Sequence, residues 1–496
     1  MNYPVWELYT AGGGLLIALI AVVHVYVAHF AVGGGLFLIW AENKAYKENS
    51  NVLLDYVKKH TKFFLLLTMV FGGITGVGIW FTISLLNPSA TSTLIHTFVF
   101  GWATEWVCFL GEIVALFIYF YTFGKMAPKD HLKIGWLYFI FAWLSLFLIN
   151  GIIDFMLTPG QWLENQSFWS GFFNPTMWPA LFFRTFIAFM FAGIFGFLTS
   201  MFIEDKKVQY SINKSCAVWT LVPLVGMLVS GYWYFKVLPE PVQLMVFKGS
   251  PELLPYLTTF YIGTGVLFAG ALILAISLPL PFKKVVAFVL LAMGLVYMGG
   301  FEFLREGSRR PWSIYDHTYA NGIKKTDIPN IEKNGFLPAA KWVFNREITP
   351  LNTLAAGREL FFNQCSSCHS AGGPMNDILK LTQGISVYGI DSRLNGCGTI
   401  SHYMSPFMGN RYERWALATF IAEGLNAKKA ETDTVFPAQN KAAKIPPFDA
   451  ETDEYVLLSW NNLGMHCISD SDPFWVLLPP ANDLFAQLIR RGELPE

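Results

Sequence analysis

The chain has 496 residues, of which 53% are hydrophobic, 17% aromatic and 14% charged, with 35 Lys and Arg balancing 35 Asp and Glu. That composition excludes an ordinary water-soluble enzyme, and a net charge of zero removes any case for a nucleic-acid partner. Residues 1–304 hold 30 charged side chains and residues 305–496 hold 40, so a membrane-type segment gives way to a soluble one near Arg305.

Eight apolar stretches of spanning length follow one another, at about 15–41, 63–86, 95–123, 134–156, 178–202, 217–238, 256–278 and 285–304. The first is too long for a cleavable signal peptide, has no basic leader, and carries His24 and His29. Lysines alternate between loops. Lys44, Lys47, Lys58, Lys59 and Lys62 follow the first stretch; Lys125, Lys129 and Lys133 the third; Lys206, Lys207 and Lys214 the fifth; Lys283 and Lys284 the seventh. The opposite loops hold only Lys236 and Lys248. The lysine-rich side is therefore expected in the cytoplasm, with both termini and the soluble part outside.

Ionisable side chains inside hydrocarbon are costly and mark function by default. Beyond the two histidines, the third stretch has Glu105 and Glu112 seven apart on one face, the fourth has Asp154, and the fifth has Arg184. The eighth ends "GGFEFLREGSRRPW", with Glu302 and Glu306 four apart, followed by Arg309, Arg310 and Trp312. Each has a bland alternative: a histidine bonded to a neighbouring helix, a neutral carboxyl tying helices together, or arginines snorkelling to the interface. An unpaired guanidinium at Arg184 is too costly to stand alone, so it is expected to be held by a carboxylate or by a partner chain.

The soluble part opens with "ELFFNQCSSCHSAGG". In Cys-x-x-Cys-His the two thiols add to heme vinyl groups and the imidazole becomes an axial iron ligand, which assigns Cys365, Cys368 and His369 to one covalent heme c. Downstream, "HYMSPFMGNRYERWALATFIAEG" is similar to the axial-methionine turn and final helix of class I cytochromes c. That similarity implies Met404 as the second ligand, with Met408 and His402 as rivals. Cys397 and Cys467 share an oxidising compartment that permits pairing. His466, in the tail, is assigned to packing rather than ligation.

The order of motifs in the first 312 residues resembles subunit I of the cytochrome bd-type terminal oxidases. "HVYVAHFAVGG" resembles its opening His segment, which implies His24 at the active-site heme. "GGITGVGIWF" is similar to its second-span Gly-Thr-Gly stretch, and "ATEWVCFLGE" to the segment carrying two glutamates, here Glu105 and Glu112. "EGSRRPW" is similar to Glu-x-Gly-Arg-Gln-Pro-Trp, which implies Glu306 on a high-spin heme with Arg309 and Trp312 beside it. The departures form a set. Arg184 stands where the family's low-spin heme has its His, "TTFYIGTGVLF" lacks the expected Met, and the quinol loop shrinks to about 20 residues.

The resulting expectation is an all-α protein. A polytopic bundle of about eight spans over 1–312 is joined by a linker, 313–352, to a cytochrome c domain, 353–425, with an extension, 426–496, packed on it. The resemblance implies a terminal oxidase of the inner membrane, of the branch with a fused cytochrome c. Heme c would feed two high-spin hemes of b or d type that reduce dioxygen, with cytoplasmic protons moving through residues such as Glu112. Glu105, Glu306, His24, His369 and Met404 are the expected iron ligands. Implied partners are a soluble or membrane-attached cytochrome donor and a second membrane subunit resembling subunit II. Nitric oxide reduction and a non-catalytic electron conduit remain alternatives at this point.

Overall fold

The computed structural model describes residues 5–247, 250–276, 279–340, 343–399, 403–427, 449, 452–461 and 484–492. Within them, eight helices are long and apolar enough to cross a membrane: α1 (Gly13–Lys47), α2 (Asn51–Leu86), α3 (Val99–Tyr121), α4 (Pro128–Asp154), α5 (Met177–Ser200), α6 (Lys206–Val237), α7 (Leu254–Ala275) and α8 (Leu280–Arg309). Local chemistry sets several starts. Ser50 caps α2 through Leu53 N, Asp205 caps α6 through Lys207 N and Val208 N, and Pro128 opens α4 where no amide partner is needed. A π-helical turn at Leu66–Gly72 interrupts α2 just before the Gly-Thr-Gly stretch.

The spans exceed their apolar windows mainly at the lysine-rich ends, where polar residues continue the helix beyond hydrocarbon. α5 is the most enclosed span and α2 the least, so the bundle is organised round α5, flanked by α1, α6 and α8. Lipid is as apolar as these side chains, so close fit rather than water exclusion holds the helices together. At the centre, Phe30 of α1 stacks on Phe195 of α5 with ring centroids 4.0 Å apart and meets Phe64 of α2 edge-on.

After α8 the chain forms a small hairpin, β1 (Trp312–Ile314) with β2 (Thr318–Tyr319), where Trp312 stacks on Tyr319. The C-terminal part holds α9 (Thr353–Gln364), α10 (Ile378–Thr382), α11 (Val387–Asn395) and α12 (Arg411–Thr419). Here water does drive the packing. Leu360, Phe361, Met408, Leu417 and Ile421 lose nearly all exposure, each contributing about 1.5–3 kcal/mol. α9 crosses α12 at Gly357, where any Cβ would run into the Ala416 carbonyl. The tail adds an antiparallel pair, β3 (Tyr455–Asn461) with β4 (Leu484–Arg490), the largest departure from an all-helical chain.

The N-terminal segment straps the soluble domain to the bundle. Tyr9 accepts the Ala371 amide on its carbonyl at 2.7 Å, packs its ring on Phe362, and takes the Arg358 Nε–H on its hydroxyl at 2.8 Å. Glu7 pairs with the same guanidinium, and Ser89, after α2, donates to the Gly322 carbonyl.

Candidate functional site

The Cys-x-x-Cys-His segment leaves α9 as a tight turn, with the amides of Cys368 and His369 both donating to the Cys365 carbonyl. The His369 Nδ1 lies 2.8 Å from the Asn376 carbonyl, which can only accept, so Nδ1 carries the proton and Nε2 keeps its lone pair. Burial pushes this imidazole below its usual range and favours the neutral, ligating form. Two thiols and one free imidazole nitrogen on a single turn fit a covalent heme c. Cys365 and Cys368 would hold it and His369 would meet the iron.

On the facing loop, Met408 is fully buried in the domain core with Asn321 Nδ2 3.8 Å from its sulfur, whereas Met404 is only half-buried. Gln364, one residue before the motif, clamps this loop by bonding both the amide and the carbonyl of Met408. Cys397 is a buried free thiol within electrostatic reach of Cys365. His402, His466 and Cys467 lie outside the described residues.

In the bundle, His24 of α1 has Nδ1 3.1 Å from Thr75 Oγ1. That hydroxyl already donates to the Phe71 and Gly72 carbonyls, so it accepts from His24 and leaves Nε2 with its lone pair. Gly76 makes room for the ring, since a Cβ there would stand 3.1 Å from the imidazole Cε1. The cradle fits an imidazole oriented for a heme iron. His29 presents a second such nitrogen. Its Nδ1 donates to the Val25 carbonyl at 2.7 Å, and its buried Nε2 has no hydrogen-bond partner among the described residues.

The C-terminal end of α8 is a chain of charges. Glu302 accepts from Arg184 at 2.7 Å and from Arg305 at 3.0 Å, which supplies the carboxylate that Arg184 requires. Asp154 and Tyr234 end in buried oxygens without partners among the described residues, beside these arginines. Glu306 is part-exposed and pairs with Arg309 through Oε2; Arg309 also reaches the Ser313 carbonyl and Met156 sulfur. Arg310 lies within electrostatic reach of Glu306, Tyr403, Cys368 and His369.

The structure thus sets Arg310 within electrostatic reach of the Cys-x-x-Cys-His turn, while Glu306 and Arg309 pair with each other at the end of α8. It places Glu105 and Glu112 elsewhere, on the seam between α3 and α4, where they accept from Ser145 and Tyr138. Trp312 belongs to the hairpin, with Lys325 over its ring. A buried group absent from the sequence reading joins Glu42, His131 and Tyr119 at the lysine-rich end.

Residues 15–238 match the family model described as cytochrome bd terminal oxidase subunit I. The bd oxidase from Geobacillus thermodenitrificans is similar in structure, with a TM-score of 0.53 and 18% identity, over 60% of this chain and 87% of that one. No curated protein matches the chain. The family match runs from α1 to the end of α6, and the structural likeness is one of fold.

Proposed function

We propose that this chain is a bd-type oxygen reductase subunit whose outer domain holds a covalent heme c, which supplies electrons to two high-spin hemes of b or d type in the bundle. The observation that carries the reading is the seating of the Cys-x-x-Cys-His turn on the outer end of the bundle. The Ser367 carbonyl stands 3.0 Å from where a Gly14 Cβ would be, and Arg310 is within electrostatic reach of both Cys368 and Glu306. A heme on that turn would border the membrane site directly.

Bound heme supplies the redox chemistry and the place where dioxygen is reduced. The chain's part is to hold and orient. Cys365 and Cys368 anchor, His369 and Met404 ligate, and Thr75 turns His24 so that Nε2 is available. Arg309 pairs with Glu306 and would orient its carboxylate toward an iron. A carboxylate is a weak, exchangeable ligand and suits a high-spin centre. Glu105 and Glu112 would carry protons from the lysine-rich, cytoplasmic face. Arg184 and Glu302 lie as a buried ion pair at the α5 position where the family holds a low-spin heme, consistent with electrons arriving from heme c and not from quinol. A second membrane subunit and a cytochrome donor belong to this reading, with the protein in the inner membrane and its heme c domain outside.

The test is a carbon monoxide difference spectrum of the reduced, purified protein, followed by oxygen uptake with a reduced cytochrome as donor. The reading expects a carbon monoxide-binding high-spin heme and uptake that disappears when Cys365 and Cys368 are replaced. A spectrum with every iron six-coordinate and unreactive to carbon monoxide would make the chain an electron conduit instead.

A further inference from the structure

The seam between α3 and α4 repeats itself. On α3, Glu105, Glu112 and Tyr119 are spaced by seven residues; on antiparallel α4, Ser145, Tyr138 and His131 are spaced by seven in the opposite sense. Each meets its counterpart. Ser145 Oγ donates to Glu105 at 2.7 Å, the Tyr138 hydroxyl donates to Glu112 at 3.0 Å, and His131 Nε2 donates to the Tyr119 carbonyl at 2.8 Å. Two helical turns separate successive rungs, about 10 Å along the axis. The positions between them carry small side chains: Cys108 and Ala115 on α3, Gly135 and Ala142 on α4.

The rung at the lysine-rich end is more than a pair. Glu42 of α1 accepts from His131 Nδ1 at 2.7 Å and from the Tyr119 hydroxyl at 2.5 Å, and all three side chains are buried. The half-exposed Tyr46 phenol rests against the same carboxylate and links it to the aqueous side. His131 faces a carbonyl through Nε2, so that nitrogen is protonated. One further proton is shared between Nδ1 and the first oxygen of Glu42. The second oxygen can take another if the Tyr119 hydroxyl turns from donor to acceptor, which a phenol can do without moving its ring. The group therefore holds one shared proton and has room for a second with every contact kept.

We propose that Glu42, His131 and Tyr119 form the proton-loading site at the mouth of this seam, with Tyr46 as its contact with water. The idea rests on the oxygen-reductase reading and adds the entrance to it. Reducing one dioxygen to two waters consumes four electrons and four protons. Each proton arrives on Glu42 from the lysine-rich face, passes to Glu112 and on to Glu105, and leaves the triad in its starting state. With about 10 Å between rungs, each transfer requires water to enter transiently between them. A purely structural pin between three helix ends would have no need of titratable groups, or of further buried carboxylates in register above it.

The experiment uses the intact purified complex in phospholipid vesicles, with heme c reduced by ascorbate and a mediator, reading oxygen uptake and the solvent deuterium isotope effect. Glu42→Gln is expected to slow uptake about ten-fold or more, with a larger isotope effect, while heme content and anaerobic heme reduction stay at wild-type levels. Glu42→Asp, which keeps a carboxyl, should recover most of the rate. Uptake within about two-fold of wild type in Glu42→Gln, with an unchanged isotope effect, overturns the proposal. Should that variant lose its hemes, Tyr46→Phe decides. At a half-exposed helix end it leaves the fold intact, and turnover there must fall about three-fold or more. An unaffected Tyr46→Phe counts against the triad. Wild-type protein that consumes no oxygen sinks the functional reading and, with it, the need for an entrance.

Discussion

His24 and His29 lie five residues apart on α1, and both keep a lone pair on Nε2, yet their surroundings differ. Thr75 and Gly76 of α2 form a cradle round His24, whereas His29 is enclosed near the Arg184–Glu302 pair. His24→Ala should therefore lose one membrane heme per chain by pyridine hemochrome analysis, and His29→Ala should keep both. The reverse pattern would move the ligand one and a half turns along α1. The buried charges allow a second prediction. Glu302 is the shared acceptor of Arg184 and Arg305, so Glu302→Gln leaves two guanidiniums under-compensated in the bundle and should cost about 3–5 kcal/mol in thermal or denaturant unfolding. Removing the Arg184 charge in the same chain, as Arg184→Met with Glu302→Gln, should return part of that loss. If the double variant is no more stable than the single one, the pair is not coupled.

Helices make the sequence readable where hydrocarbon dictates composition, and unreadable where it stops. All eight spans follow from apolar length, and Arg184's need for a partner follows from the cost of a buried charge. That Glu302 would meet it depends on how α5 packs on α8, which no local pattern encodes. Glu42 and His131 escape for a related reason: each lies just beyond an apolar window, although α1 runs on to Lys47 and α4 begins at Pro128. Their isolation in sequence hides a contact of 2.7 Å. In the C-terminal part the Cys-x-x-Cys-His motif points to a heme, but the device that positions the loop proposed to carry the opposite ligand does not show in the sequence. Gln364 holds that loop by two hydrogen bonds to the Met408 backbone. Gln364→Leu should leave heme covalently attached while weakening the near-infrared sulfur–iron charge-transfer band, and Met404→Ala should abolish it. A band that survives Met404→Ala and disappears in Met408→Ala would hand ligation to the buried methionine.

At the scale of the whole molecule, the proposed electron path requires the domain built on α9 and α12 to stay close to the bundle. The bundle is held by fit within lipid and the outer domain by water exclusion, so neither force by itself fixes one against the other. The contacts that do so include hydrogen bonds and ring packing from the N-terminal segment, with Met375 lying against Gly12 and Gly14. Tyr9 takes part in three of them, and Arg358 meets both Tyr9 and Glu7. The Glu7–Arg358 pair is exposed enough that solvent and salt screen it, and pairs of that kind contribute at most about 1 kcal/mol. The Tyr9 ring packed on Phe362 and its carbonyl bond to Ala371 are the stronger tie. Tyr9→Ala should then loosen that domain without unfolding it, because Tyr9 packs only at the margin of a core formed by Leu360, Phe361, Met408, Leu417 and Ile421. Hydrogen exchange should rise at Ala371 and Phe362 but not at Leu417. Oxygen uptake fed through heme c should fall several-fold, while ascorbate still reduces heme c at the wild-type rate. Uptake that is unchanged when exchange at Ala371 has risen would mean that the seating of the Cys-x-x-Cys-His turn on the bundle does not govern electron delivery. The donor's path into the membrane would then have to be sought away from Arg310.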